Sequence, residues 1–475
     1  MTAAYKMLIG GERVGSETSL DVINPATGKV LAHVPDCSRE QLDQAVGAAR
    51  QAFPAWKSMP IERRADKLRE AAAVLVENKD ELKRLLTSEQ GKPHDEAEFE
   101  IMASAHWLTS FADMRLPVIV NEDTPERRSE TRHVPLGVVG AIAPWNFPAV
   151  LVYWKLAPAL IAGNTLVLKP SPFTPLTALR MAELLSDVFP PGVLNVVTGG
   201  DDLGPWITSH PDIDKISFTG STATGRRVMA SAAANLKKVT LELGGNDAAI
   251  VMPDVDIPTV APALFWAAFR NSGQICIATK RMYIHADIYD ELTQAIVDYA
   301  KTVKVGDGSE QGTMLGPIQN RQQYERVLGF IEEARENGFR FMTGGDVDQG
   351  APGYFIPVTI VDNPPDDSRL VREEPFGPIL PVLKFDDVDD VVRRANDSEF
   401  GLAGSVWSSD LEQAQAIAAR LETGTVWINE VQHLAPGTAF AGHKQSGVGV
   451  ENGMDGLLEY TVTQTISVKK PDGAA

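Results

Sequence analysis

From Gly137 onward the chain repeats one pattern, and that pattern limits its fold more than any other feature. Short apolar runs alternate with stretches of helical spacing, and Gly or Pro separates them. Gly137–Ala143, Thr165–Lys169, Val193–Val197, Ile213–Phe218 and Val239–Leu243 read as strands. Ala149–Ala162 and Thr177–Val188 read as helices between them, and a further helix opens near Ser221. Strands of near-continuous apolar residues joined through helices belong to a parallel sheet covered on both faces. This predicts an α/β fold with a doubly wound nucleotide-binding domain. After Gly244 the alternation continues to about Glu430. Ala248–Val251, Arg281–Ile284, Ile379–Leu383, Ala403–Trp407 and Thr425–Asn429 read as strands, with helices over Asp287–Val303, Asn320–Glu336 and Leu411–Leu421. That is a second α/β domain. Ahead of Gly137, Leu42–Trp56, Glu62–Glu77 and Asp80–Gln90 have helical spacing. Glu122–Thr131 is charged and reads as a loop or an exposed edge strand. Tyr460–Ser467 alternates as a strand with one polar face.

Composition removes whole classes of function. The 475 residues carry 63 acidic and 44 basic side chains, a net charge of −19. A phosphate-tracking nucleic-acid protein needs the opposite sign, and an anionic membrane surface would repel this chain. No apolar run approaches the ~20 residues of a membrane helix, and the first residues lack the apolar core of a secretory signal. Two cysteines, Cys37 and Cys276, make no disulfide framework. A reducing compartment, the cytoplasm, is the expectation, with neither nucleic acid nor membrane as partner. There is no G-x-S-x-G, H-E-x-x-H, Walker-type Gly-rich loop, paired C-x-x-C or G-x-G-x-x-G. No metal site is expected.

Five strings stand out instead. Pro144-Trp145-Asn146-Phe147-Pro148 follows a predicted strand, where parallel sheets bind ligands. Two prolines would hold the Asn146 amide in one direction; a rigid structural turn reads equally well. Phe218-Thr219-Gly220-Ser221 leads into a helix whose free N–H groups suit a phosphate, although Ser221 could be a plain N-cap. In Leu241-Glu242-Leu243-Gly244-Gly245, strand parity sets Glu242 opposite its apolar neighbours, either paired or poised as a base. Cys276 ends Asn271-Ser272-Gly273-Gln274-Ile275-Cys276 and could sit in a cleft, though an isolated cysteine is more often inert and buried. Glu373-Glu374-Pro375-Phe376-Gly377-Pro378 brackets an aromatic with prolines.

Together, with Lys169, these strings occur in the order and spacing of one family. The chain resembles the NAD(P)-dependent aldehyde dehydrogenase superfamily, from about Ile23-Asn24-Pro25-Ala26-Thr27-Gly28 to the terminal strand. The resemblance implies catalytic roles for three residues. Cys276 would be the nucleophile. Asn146, with the Cys276 N–H, would be the oxyanion donor, and Glu242 would activate the water that hydrolyses the thioester. It implies cofactor contacts from Trp145, Lys169, Gly220, Ser221, Glu374 and Phe376, and a place for Glu451 on a proton path. Phe147, Leu151, Trp154, Ile275, Ile277 and Phe440 would line an apolar tunnel for the aldehyde, which suggests a neutral aromatic or medium-chain substrate. The family's domain plan would give a cofactor-binding domain over 1–116 and 136–243 and a catalytic domain over 244–445. A small β oligomerisation extension would take 117–135 and 446–475, making a homodimer or homotetramer.

One departure bears on the cofactor. The family often has Lys-x-x-Glu after the strand that carries Lys169, and the acid grips the adenosine ribose. Here the string is Lys169-Pro170-Ser171-Pro172. NAD is the expected cofactor, with NADP possible because Pro172 replaces the acid. Two rival functions are a CoA-acylating aldehyde dehydrogenase, against which Glu242 argues, and a catalytically silent binding protein on the same fold, against which Cys276, Glu242 and Asn146 argue together.

Overall fold

The computed structural model describes residues 5–471. Its first large sheet has eight strands, in the spatial order Glu12–Val14, Met7–Ile9, Leu194–Val196, Thr165–Lys169, Val138–Ile142, Lys215–Thr219, Lys238–Glu242 and Gly447–Val448. The five central strands are parallel and the outer ones antiparallel. The chain winds outward one way from Val138–Ile142 and then the other way from Lys215–Thr219. The strand order therefore reverses between these two, which opens a crevice beyond their carboxyl ends. Register lines up the residues facing that crevice. Ile142 pairs with Lys169 on one side and Phe218 on the other, and Thr219 pairs with Glu242.

A second sheet of seven strands runs Arg340–Thr343, Thr359–Asp362, Ile379–Phe385, Thr279–His285, Asp247–Val251, Ala403–Trp407 and Thr425–Ile428, parallel except at its Arg340–Thr343 edge. Both sheets match the predicted doubly wound pattern. Buried Val, Ile, Leu and Ala on both strand faces provide the cores, which is why these segments read as unbroken apolar runs.

One reading is narrowed and two change. Of the two readings of Glu122–Thr131, the strand prevails: Val118–Asp123, the exposed edge of its sheet, and Arg127–Pro135 form a hairpin. Thr461–Lys469 pairs along the whole of Arg127–Pro135, completing a three-stranded projecting sheet. The expected extension over 446–475 is too long at its start. Gly447–Val448 pairs with Leu241–Glu242 in the first sheet, and Glu451 is buried. Glycine at 447 allows this, since a Cβ there would lie 2.8 Å from the Leu241 carbonyl oxygen and 3.2 Å from Gly442. The span Asp287–Val303 is a 3-10 turn, Ala286–Ile288, followed by a helix over Tyr289–Ala300. The long helix His94–Asp113, which carries buried Glu100 and Trp107, was not foreseen.

Candidate active site

The turn at Pro144–Pro148 leaves the carboxyl end of the Val138–Ile142 strand and is held from behind by a buried ion pair. Lys92 and Glu100 both have fully buried side chains and are salt-bridged. The Lys92 ammonium donates to the Asn146 backbone carbonyl at 3.0 Å and lies 3.8 Å from the centre of the Phe147 ring. Glu100 accepts the N–H groups of Ala149 and Val150 at 2.7 and 3.2 Å, capping the Val150–Ile161 helix with a carboxylate. The Asn146 side-chain nitrogen donates to the Gln274 carbonyl at 3.0 Å. An amide nitrogen has two hydrogens, so this bond aims the group and leaves one donor free.

The segment before Cys276 follows an unusual backbone path. Asn271, Ser272 and Gly273 have φ of 50°, 55° and 73°. Left-handed non-glycine residues cost of the order of 1–2 kcal/mol each, so the surroundings must enforce them. They do: Ser272 donates to the Gly316 carbonyl, and Gln274 donates to Asn271 and Pro317 while accepting from Gln319. A Cβ on Gly273 would lie 2.3 Å from the Gly377 carbonyl oxygen, so this loop packs directly on the Glu374–Pro378 string. Cys276 keeps partial exposure, while Ile275 and Ile277 on either side are buried. Cys276 and Cys37 are both free thiols. Burial pushes the Cys276 thiol up to about 12, with Lys280 opposing and Glu374, Asp247 and Glu242 adding to the rise.

Neither carboxylate oxygen of Glu242 has a hydrogen-bond partner among the described residues. Burial first, and then the charge of Glu451, raise its carboxyl well above the ordinary range; Lys155 opposes them. Beside it Lys155 donates to Glu451 at 2.6 Å and to Thr219 at 2.7 Å. Ser217 also donates to Glu451, at 3.1 Å, and Tyr460 donates to Ser217 at 3.1 Å. Glu242 thus sits unbonded at the inner end of a buried polar chain. Glu451 exchanges both backbone hydrogen bonds with Phe440, which joins this chain to the apolar pocket. There Trp154 stacks on Trp107 at 5.5 Å and meets Phe440 edge-on at 5.6 Å. Leu151, Ile275, Ile277, Phe147 and Cys276 belong to the same cluster.

On the crevice side, Trp145 and Phe376 meet edge-to-face at 5.3 Å. Gln323 donates to the carbonyls of Pro375 and Phe376, fixing the loop in which Phe376 has φ of 52°. Glu374 accepts from Gly245 N–H at 3.2 Å and lies 3.3 Å from the Lys280 ammonium. Gly220 donates its N–H to the Glu242 carbonyl, and a Cβ there would strike the Phe218 ring. Ser221 caps the Thr222–Ala233 helix by accepting from Thr224 N–H, so its plain structural reading holds in this state. Lys169 is buried, and its one hydrogen bond among the described residues is a 3.5 Å contact to Pro170. Burial lowers its ammonium to about 8, against the pull of Asp201 and Asp36.

The sequence model of the aldehyde dehydrogenase family matches residues 13–466. The chain belongs to the aldehyde dehydrogenase family. It is 40% identical to the aldehyde dehydrogenase LUC3 of a Fusarium species over 467 residues, covering 98% of this chain and 99% of that protein. The aldehyde dehydrogenase of Bacillus cereus, solved as an NAD+ complex, superposes with a TM-score of 0.95 at 38% identity, over 98% of this chain and 96% of that one. A structure described as an NADP-dependent enzyme of Escherichia coli also gives 0.95, at 36% identity over 98% of both chains. The protein is an NAD(P)-dependent oxidoreductase that acts on aldehydes.

Four buried residues around this aldehyde dehydrogenase site were not singled out from sequence: Lys92, Glu100, Lys155 and Lys280. A charged residue inside an apolar stretch was the available signal for Lys155, in Val150–Ile161. Nothing in their spacing tells which partner neutralises each one.

The strain on Glu242 is testable as stability. In the unfolded chain its carboxyl ionises near pH ~4.3, whereas in the fold ionisation is pushed well above that. Stability is therefore unaffected by this group at low pH and is progressively lost as pH rises toward the raised folded value. Glu242→Gln removes the effect. Its apparent melting temperature should exceed that of the wild type by a few degrees at pH 8 and by little at pH 5; equal gains at both would contradict an uncompensated buried carboxyl.

Proposed function

We propose that this aldehyde dehydrogenase works through Cys276, with Glu242 as base and Asn146 as oxyanion donor, and releases a free carboxylate. The observation that carries the reading is the pairing of a partly exposed thiol with a buried, unbonded carboxyl beside a fixed amide. With its pKa raised to about 12, the Cys276 thiol is neutral when the site is empty, so attack needs a proton acceptor. Glu242, with both oxygens free, takes that proton as sulfur bonds to the aldehyde carbon. The oxyanion that forms accepts from the second Asn146 hydrogen and the Cys276 backbone N–H, an arrangement worth ~10²–10³ in rate per donor. When bound, NAD(P) accepts the hydride from that carbon. Glu242 gives that first proton up to solvent. Water then attacks the resulting thioester, Glu242 removes the water's proton, and the C–S bond breaks, the product leaving as a carboxylate and the Cys276 thiolate taking the proton back from Glu242. The raised Glu242 pKa makes its ionised carboxylate a stronger base for both proton transfers.

The cofactor fits the crevice on two observations. Lys169 is a buried ammonium with donors to spare, and Gly220 leaves no Cβ at the mouth of the Thr222–Ala233 helix. Lys169 would hold an adenosine-ribose hydroxyl. Gly220 and Ser221 would face the pyrophosphate, Glu374 the nicotinamide ribose, and Trp145 and Phe376 the nicotinamide side. NAD is the proposed preference, supported by the Asp36 and Asp201 carboxylates near Lys169, which disfavour a 2′-phosphate. Pro172 weakens that preference. The Trp107–Trp154–Phe440 wall supports a neutral aromatic or medium-chain aldehyde. The three-stranded sheet leaves Val118, Ile119, Val120, Val462 and Val468 exposed, which supports a homodimer or homotetramer in the cytoplasm; light scattering that returns a monomer would overturn this.

Cys276→Ala should abolish NADH formation and keep NAD binding. Glu242→Gln should lower steady-state turnover ~10²–10⁴-fold, with acylated Cys276 accumulating by mass spectrometry. Full turnover of the first variant would sink the nucleophile. Release of product only on adding CoA to the wild type would favour the acylating rival instead.

Pro172→Glu should raise kcat/KM for NAD about tenfold and lower it for NADP, through a charge-assisted hydrogen bond to the ribose of ~1.5–3 kcal/mol and repulsion of the phosphate. Unchanged ratios would place cofactor selection elsewhere.

Among benzaldehyde, hexanal and succinic semialdehyde, kcat/KM should be lowest for the semialdehyde, because its carboxylate finds no cation in the apolar wall. The reverse order would disprove a neutral pocket.

A further inference from the structure

Lys280 has no part in the mechanism above, yet its ammonium lies between two of that mechanism's residues. It is the second residue of the Thr279–His285 strand and is 3% exposed. Its nitrogen donates to the backbone carbonyl of Cys276 and lies 3.4 Å from that of Ala278. The same nitrogen is 3.3 Å from Glu374 Oε1. Three donors and three acceptors meet in one enclosed space, and two glycines make that space possible. A Cβ on Gly244 would lie 2.4 Å from Glu374 Oε2, and one on Gly245 would lie 2.9 Å from the Cys276 carbonyl oxygen. Other cations nearby are committed elsewhere: Arg281 donates to the carbonyls of Asn246, Arg394 and Ala395, and Arg326 reaches the Glu374 carbonyl and Glu373.

We propose that Lys280 is a positioning residue that couples capture of the cofactor's ribose at Glu374 to the placement of the Cys276 main chain. The inference rests on the roles given above to Cys276 and Glu374. A carboxylate that accepts ribose hydroxyls shares its charge with them and weakens its hold on the ammonium. The ammonium then bears more fully on the Cys276 and Ala278 carbonyls, the main chain on either side of Ile277. The thiol is rigidly attached to that segment, so ribose binding changes its access and reactivity. With an uncharged side chain at 280, what still joins Glu374 to the Cys276 segment is the Gly245 N–H bond and the packing of Gly245 on the Cys276 carbonyl, which carry no charge for ribose binding to redistribute.

The test is the alkylation rate of Cys276 by iodoacetamide at one fixed pH, mapped by mass spectrometry, with and without saturating NAD and with no aldehyde present. In the wild type NAD should change the rate at least about fivefold, the lower end of ordinary coupling between sites. In Lys280→Met the two rates should agree within about twofold at NAD concentrations shown by fluorescence titration to saturate, and Lys280→Arg should restore part of the difference. A purely structural lysine would alter both rates together and leave their ratio alone. A wild-type ratio in Lys280→Met, or no effect of NAD on the wild type, overturns the proposal. Should Lys280→Met fail to fold, Glu374→Gln breaks the same contact from the other side, and an unchanged ratio there is equally decisive. Loss of turnover in Cys276→Ala tests the underlying reading separately, so the two can fail independently.

Discussion

The buried Lys92–Glu100 pair is the interaction on which the geometry of the site most depends. Burying two charges costs several kcal/mol per ion, and only close pairing and further hydrogen bonds offset it. Here every remaining bond goes to a functional segment: Lys92 to the Asn146 carbonyl and over Phe147, Glu100 to the first N–H groups of the Val150–Ile161 helix. That helix carries Leu151, Trp154 and Lys155 inward. One ion pair therefore sets the Asn146 turn, the pocket wall and the cation facing Glu451. Removing either partner would leave a buried charge uncompensated, at a cost of about 3–5 kcal/mol.

The proposed reacting groups are kept uncommitted. Cys276 and Glu242 carry no stabilising partner on sulfur or carboxylate oxygens among the described residues, while two pairs of charges flank them, Lys155 with Glu451 and Lys280 with Glu374. The effect is a site in which burial raises both pKa values and neighbouring pairs tune them. A thiol held neutral resists adventitious oxidation and alkylation, since the thiolate is the reactive form. In the proposed mechanism Glu242 restores its reactivity by taking the proton.

The crevice loops and the apolar pocket are joined through close backbone packing as well as through the Lys280 side chain. Gly273 packs on Gly377, Gly245 on the Cys276 carbonyl, and Gly220 N–H bonds to the Glu242 carbonyl. Such close approaches explain the glycines in four of the five strings, because a Cβ at any of these positions would collide. They also transmit small displacements, since tightly packed backbone has little room to absorb them.

Much of this was legible in the sequence. Apolar runs of the right length fixed the parallel strands, because a strand covered on both faces must be apolar throughout. The motif order singled out Cys276, Glu242, Asn146 and Glu374, and the turns that carry them are visible in their Gly and Pro residues. The hidden part was pairing. Lys92 and Glu100 lie eight residues apart in different segments, and what neutralises Lys155 and Lys280 comes from tens to hundreds of residues away, so no local pattern shows which charges pair. The Glu122–Thr131 stretch was ambiguous for the same reason, since a polar strand is defined by its neighbours and not by its own pattern. Sequence by itself determined the chemistry available and the segments that carry it, both of which depend on local spacing. Only the tertiary structure decided which buried charges meet, because electrostatic partners are chosen by distance in space and leave no periodic trace along the chain.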